Sequence, residues 1–227
     1  MPEPRDLGGE SDSGAIPSNP ARARWLVPGI VFYGVLSAIA WAWRGGVYEE
    51  PVFFASRAAA SRGVDWFPDL GLGIGAGMAL LGLSALATAR TGWGERLADR
   101  MAEVIAGVPF SHAIALALLS GFGEELFFRG ALQPRVGWFV ASLLFGMMHV
   151  GPGRDFLPWT VFAIAGGGVF GGLFLATGNL AAPIAAHVLV NAVNLPILAR
   201  RGRARRPVAS IRPVGSSPGA DESPERG

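Results

Sequence analysis

SHAIALALLSGFGEELFFRGALQ, residues 111–133, is the stretch on which the fold turns. It reads as one apolar helix, yet Glu124, Glu125 and Arg129 stand inside it. A hydrocarbon core of about 30 Å needs roughly 20 such residues. Ionisable groups within a span are costly and face a bundle interior or a watery cavity. The stretch is therefore expected to be a transmembrane helix that begins near Phe110, carries its charges inward, and breaks at Pro134–Gly137.

Blocks of the same character lie on both sides. Trp25–Trp43 forms a first span with tryptophans at both ends, where an interfacial belt places them, and Leu70–Ala89 a second. Trp138–Val150, Pro158–Thr177 and Leu180–Leu198 follow as the fourth, fifth and sixth. Charged, amphipathic Thr91–Ala106 is suited to lie along the interface, and the count rises to seven or eight if such pieces insert. All spans are helical, since a β-barrel shows short alternating segments instead. The expected architecture is an all-α polytopic membrane bundle of about six spans. GLGIGAG (71–77) echoes a dinucleotide loop, but no strand pattern precedes it; close helix packing through small residues is the better reading, as for GGGVFGG (166–172).

Composition agrees. Hydrophobic residues make up 51% and charged residues 16%, against about a quarter charged in soluble domains. The mean hydropathy is +0.39. A net charge of +2 and a pI near 9.9 do not indicate nucleic acid, because the arginines sit outside the apolar runs and cluster at Arg200–Arg206. That cluster suits anionic headgroups and a stop-transfer anchor. No cysteine is present, which excludes disulfides, thiol nucleophiles and thiolate metal sites.

Residues 1–24 read as a disordered polar tail without a cleavable signal peptide, 25–199 as the transmembrane domain, and 200–227 as a basic, then disordered tail. Arg44–Asp69 reads as a polar connection with a solvated Glu49–Glu50 pair. An even span count with Arg22, Arg24 and Arg200–Arg206 places both termini in the cytoplasm, the plasma membrane being the expected location. Arg44, Arg57 and Arg62 oppose that assignment.

The polar groups inside the spans can meet. Glu124 lies 9 residues before Gln133, about 14 Å of helix, and His149 lies 12 residues after Gly137, about 18 Å back along the antiparallel partner. His187 lies about a third of the way along the last span, so three helices reach one layer. Glu125 and Arg129 are i,i+4 and can pair, as His187 and Asn191 are, while Glu124 points about 100° away from Glu125. Asn194, one turn further, can support Asn191. His112, near its helix start, reads as interfacial or structural.

The strings EELFFR (124–129), FGMMH (145–149) and HVLVN (187–191) resemble the EExxxR, FxxxH and HxxxN pattern of the CAAX-protease and bacteriocin-processing family, also called CPBP or Abi, which includes the type II CAAX prenyl endopeptidases. The resemblance covers roughly 110–198. It implies that Glu124 and His149 activate a water, that His187 and Asn191 bind the oxyanion, and that Glu125 and Arg129 orient the site. No HExxH, GxGD or GxSG motif points to another class of intramembrane protease. No cofactor is favoured; zinc held by Glu124, His149 and His187 is the alternative. The expected activity is glutamate-type intramembrane hydrolysis of a peptide bond in a membrane-anchored protein or peptide, near its C-terminus or anchor. A non-catalytic scaffold or immunity-type protein of the same architecture is the competing reading. A small transporter is disfavoured, because no inverted repeat is evident.

Overall fold

The computed structural model describes residues 25–205; the expected tail at 1–24 and, of the expected tail at 200–227, residues 206–227 lie outside them. The described chain is helical, with one isolated bridge, Phe54 to Asn179, in place of sheet. Its elements are α1 (Leu26–Ala40) continued by a π segment (Trp41–Val47), α2 (Arg57–Arg62), α3 (Trp66–Arg90) and α4 (Gly92–Val104). Then come α5 (Phe110–Glu125) continued by a second π segment (Leu126–Leu132) and α6 (Gln133–Val136), and lastly α7 (Trp138–Met147), α8 (Leu157–Thr177) and α9 (Ala181–Arg205).

Polarity is distributed inside out. Val31, Leu83, Phe139 and Val161 are exposed, whereas Arg44, Glu124, Glu125, Arg129, Gln133 and His187 are buried. Water would drive the opposite arrangement, and lipid permits this one. Among the described residues four helices are long and apolar enough to cross a membrane: Leu26–Val47, Trp66–Arg90, Arg154–Thr177 and Ala181–Arg205. The third expected span is not among them; it carries Glu124, Glu125 and Arg129, and like the first it is α-helical in its first part and runs on as π helix. The fourth differs more. α7 has 10 helical residues, about 15 Å, or half a hydrocarbon core.

α9 is the hub. It packs on α3, α5, α8 and α4, and its neighbours approach closely because they lack side chains at the crossings. A Cβ on Gly77 would lie 3.1 Å from the Ala186 carbonyl, and one on Gly121 would lie 2.5 Å from Val188 Cγ2. The small residues of 71–77 thus serve helix contact. Gly178, at φ 74°, ends α8 in the left-handed region, and Asn179 Oδ1 accepts from Ala181 N at 2.9 Å to start α9.

The last span does not end at Leu198. It runs on to Arg205, and three of its arginines bind protein: Arg201 and Arg205 pair with Asp99 at 2.5 and 2.7 Å, and Arg203 donates to the Val108 carbonyl. Amphipathic α4 is thereby strapped to the end of the bundle where α9 finishes and α5 begins. Gly29 presses on Leu116 in the first half of α5, so Leu26 and Arg205 lie at the same end. At the opposite end the 53–55 backbone pairs with 178–180 through Ala55 N to Gly178 O and Leu180 N to Phe53 O. The region read as a polar connection also differs. Arg44 is inside the helix and 1% exposed, and Glu50 is no free loop carboxylate: it pairs with Arg44 at 3.4 Å and Arg135 at 2.7 Å.

Candidate active site

Glu124 and Glu125 are the last two residues of α5 before the backbone widens into its π segment. Such segments are rare and recur at functional sites. This one is braced from outside. Arg44, in the other π segment, donates Nη1 to the Gly130 carbonyl and Nη2 to the Phe54 and Ala55 carbonyls at 3.0 Å each. Gly130 admits the 50–56 backbone; a Cβ there would stand 2.6 Å from the Val52 carbonyl oxygen.

The adjacent glutamates face different partners, as their angular separation requires. Glu125 Oε1 accepts from Arg129 Nη1 at 3.0 Å and lies 2.7 Å from His187 Nδ1. The three residues are 0, 1 and 4% exposed. Arg129 also donates Nη2 to the Gly167 carbonyl at 2.9 Å and stands 4.3 Å above the Phe145 ring. Phe170 stacks on His187 at 4.9 Å and 14°. Arginine and imidazole therefore share one carboxylate oxygen inside an aromatic wall.

Glu124 belongs to a second pair. Its Oε2, buried and without a hydrogen bond, lies 3.6 Å from His149 Nε2. The other ring nitrogen of His149 is 2.7 Å from the Phe145 carbonyl, which can only accept, so Nδ1 carries a proton and, in the neutral ring, Nε2 presents a lone pair toward Glu124. The Thr160 hydroxyl donates to the His149 carbonyl at 3.0 Å, tying the end of α7 to α8.

The sequence-predicted residues thus gather into two pairings, Glu124 with His149 and Glu125 with both Arg129 and His187. Asn191, one turn beyond His187, donates Nδ2 to Ser120 Oγ at 2.9 Å. As a member of the site Ser120 escaped notice in the sequence, where it figures only as a serine outside any GxSG motif, although it sits one turn before Glu124 on the same face. Phe170 and Gly167 escaped it too, because nothing in an apolar glycine-rich span singles out which residues wall a site.

The zinc alternative can be tested on the donors. Among the described residues no three His, Asp or Glu side chains come together as a metal set. The Phe145 ring packs on both imidazoles, with centroids 4.6 Å from His149 and 5.8 Å from His187, and His187 turns to Glu125 instead of Glu124. Glu124, His149 and His187 as arranged do not fit a zinc ion, whose ligands stand about 2.0–2.2 Å from it.

Comparison with known proteins bears on the same segment. Residues 106–193 match the family described as "Type II CAAX prenyl endopeptidase Rce1-like", in agreement with the family that the three motifs resemble. The uncharacterized protein YpbD of Bacillus subtilis (strain 168) is 39% identical over 84 residues, 36% of this chain and 43% of that protein. The chain thus spans less than half the length of that curated relative. No solved structure matches.

Proposed function

We propose that the Rce1-like segment of this chain is the catalytic part of an intramembrane endopeptidase of glutamate type. Its substrate is a membrane-anchored protein or peptide cut near its C-terminus or anchor. The observation that carries this reading is the buried Glu124–His149 pair. Glu124 Oε2 and the Nε2 lone pair of His149 face each other across 3.6 Å, too far for a direct hydrogen bond of ordinary strength. Two acceptors in that relation suit a water that donates to both and turns its own lone pair outward. Attack on a carbonyl passes the water's proton to Glu124, the general base, and collapse of the tetrahedral intermediate breaks the C–N bond as that proton goes to the leaving amine.

The developing oxyanion is received from α9. Asn191 keeps one amide hydrogen beyond the one given to Ser120. His187 can donate from Nε2 only as imidazolium, because Nδ1 is engaged with Glu125, which is then its counter-ion. That state makes the site electrically balanced: Glu124 and Glu125 against Arg129 and His187, with His149 neutral. Preorganised donors in a dry site are the larger part of amide activation, and no metal takes part in this scheme. The fold is consistent with an integral membrane protein; both termini in the cytoplasm and residence in the plasma membrane are part of the proposal. The scaffold alternative shares the architecture and differs only in having no turnover.

The test compares the C-termini of membrane proteins in cells holding wild-type chain, no chain, or Glu124→Gln. We expect a set of shortened C-termini that appears with wild type and vanishes in both other conditions. Identical C-termini in all three would overturn the enzyme reading in favour of the scaffold.

A further inference from the structure

Tyr33 lies on α1, outside the matched segment 106–193, and none of the three motifs reaches it. Its backbone presses on the site helix. A Cβ on Gly123 would stand 3.1 Å from both the Cβ and the carbonyl oxygen of Tyr33, and 3.3 Å from Ser37 Oγ. This approach packs Tyr33 against the residue that precedes Glu124 on α5, and the phenol interacts with the side chains of Glu124 and Ser120. Ser120 is buried and already accepts from Asn191. Its own hydroxyl proton goes to the Ala117 carbonyl over a long 3.3 Å, a bond it can exchange by rotating. Glu124, for its part, has one oxygen toward His149 that makes no hydrogen bond.

We propose that Tyr33 is a positioning residue for the hydrolysis proposed above, on which this inference rests: its O–H donates to the Glu124 carboxylate while its oxygen accepts from Ser120. A phenol can do both at once. One chain of hydrogen bonds then runs from Asn191 through Ser120 and Tyr33 to Glu124. It links the group that receives the oxyanion to the group that takes the proton, two functions placed on different helices. Tyr33 holds one carboxylate oxygen so that Oε2 stays aimed at His149, where a misplacement of about 1 Å costs about 10²-fold in rate. The first span, which in sequence reads as a plain anchor, thereby contributes to the site.

The test separates the contact from the chemistry. Full-length protein in lipid vesicles is examined by infrared difference spectroscopy, with Glu124→Gln assigning the Glu124 band. The chain has only two tyrosines, so Tyr48→Phe serves as the control. We expect Tyr33→Phe to move the Glu124 band to higher frequency and Tyr48→Phe to leave it in place. In the C-terminal comparison described above, Tyr33→Phe should slow product formation about 10- to 10²-fold, the effect of losing one hydrogen bond to a charged group. Co-purification of uncut substrate should be unchanged, and Ser120→Ala should add less in the Tyr33→Phe background than alone. An unmoved Glu124 band overturns the proposal. A moved band with wild-type processing overturns the positioning role and leaves a structural bond. A moved band with no processing by wild type overturns the hydrolysis reading, and the positioning role with it.

Discussion

Glu124 and Glu125 are neighbours in sequence, and the same substitution in each should give opposite results. Glu125→Gln removes the charge from an oxygen that lies 3.0 Å from Arg129 Nη1 and 2.7 Å from His187 Nδ1, with all three residues under 5% exposed. Glutamine keeps an acceptor, so the bond to Arg129 can persist in weaker form. The guanidinium nevertheless loses the one carboxylate bonded to it and keeps neutral contacts, the Gly167 carbonyl and the rings of Phe128, Phe145 and Phe170. Stranding a buried charge in this way costs about 3–5 kcal/mol, or roughly 10²- to 10⁴-fold in the folding equilibrium. Glu124→Gln loses far less. Glu124 Oε2 makes no hydrogen bond, and its histidine neighbour is 3.6 Å away. Glutamine keeps an acceptor for Tyr33 and its loss of charge strands no buried counter-ion, so stability should be nearly unchanged. Turnover is another matter: an amide cannot accept the proton, and cleavage should fall by about 10²- to 10⁴-fold. Equilibrium unfolding in mixed micelles, followed by the fluorescence of the seven tryptophans, reads the first effect, and the C-terminal products read the second. If Glu124→Gln unfolds the protein while Glu125→Gln leaves it stable, the division of roles drawn from the geometry is wrong.

Two further outcomes follow from the same site. Asn191→Ala should cut turnover by about 10²- to 10³-fold with substrate still co-purifying, because the oxyanion exists only after attack; binding lost in step with cleavage would count against that role. Protein stripped with a strong chelator should keep its activity and contain no stoichiometric zinc by elemental analysis. Activity lost on chelation and restored by zinc alone would turn Glu124, His149 and His187 into ligands and require them to rearrange from the geometry described.

The lipid-facing character of the chain was legible without coordinates, because apolar run length is a one-dimensional property that the bilayer reads directly. So were Glu125 with Arg129, and His187 with Asn191 on one face, since i,i+4 spacing on a helix is set by the backbone alone. The three motif strings placed the site in one layer for the same reason: depth is residue number multiplied by rise. That Glu125, and not Glu124, meets His187 was not legible. That depends on how α5 is rotated against α7 and α9, and the rotation is decided where Gly121 lets Val188 in and where Gly167 admits the Phe145 ring and the Arg129 guanidinium. The π segment after Glu125 was hidden as well, because its sequence, LFFRGAL, suits an α-helix; its partner is Arg44, 86 residues away from Gly130. Tyr33 comes beside Glu124 and Ser120 by the same route, through a helix crossing at Gly123 that no local pattern encodes. Spacing along one helix determined which side chains share a face, and only the close packing of several helices decided what each face meets.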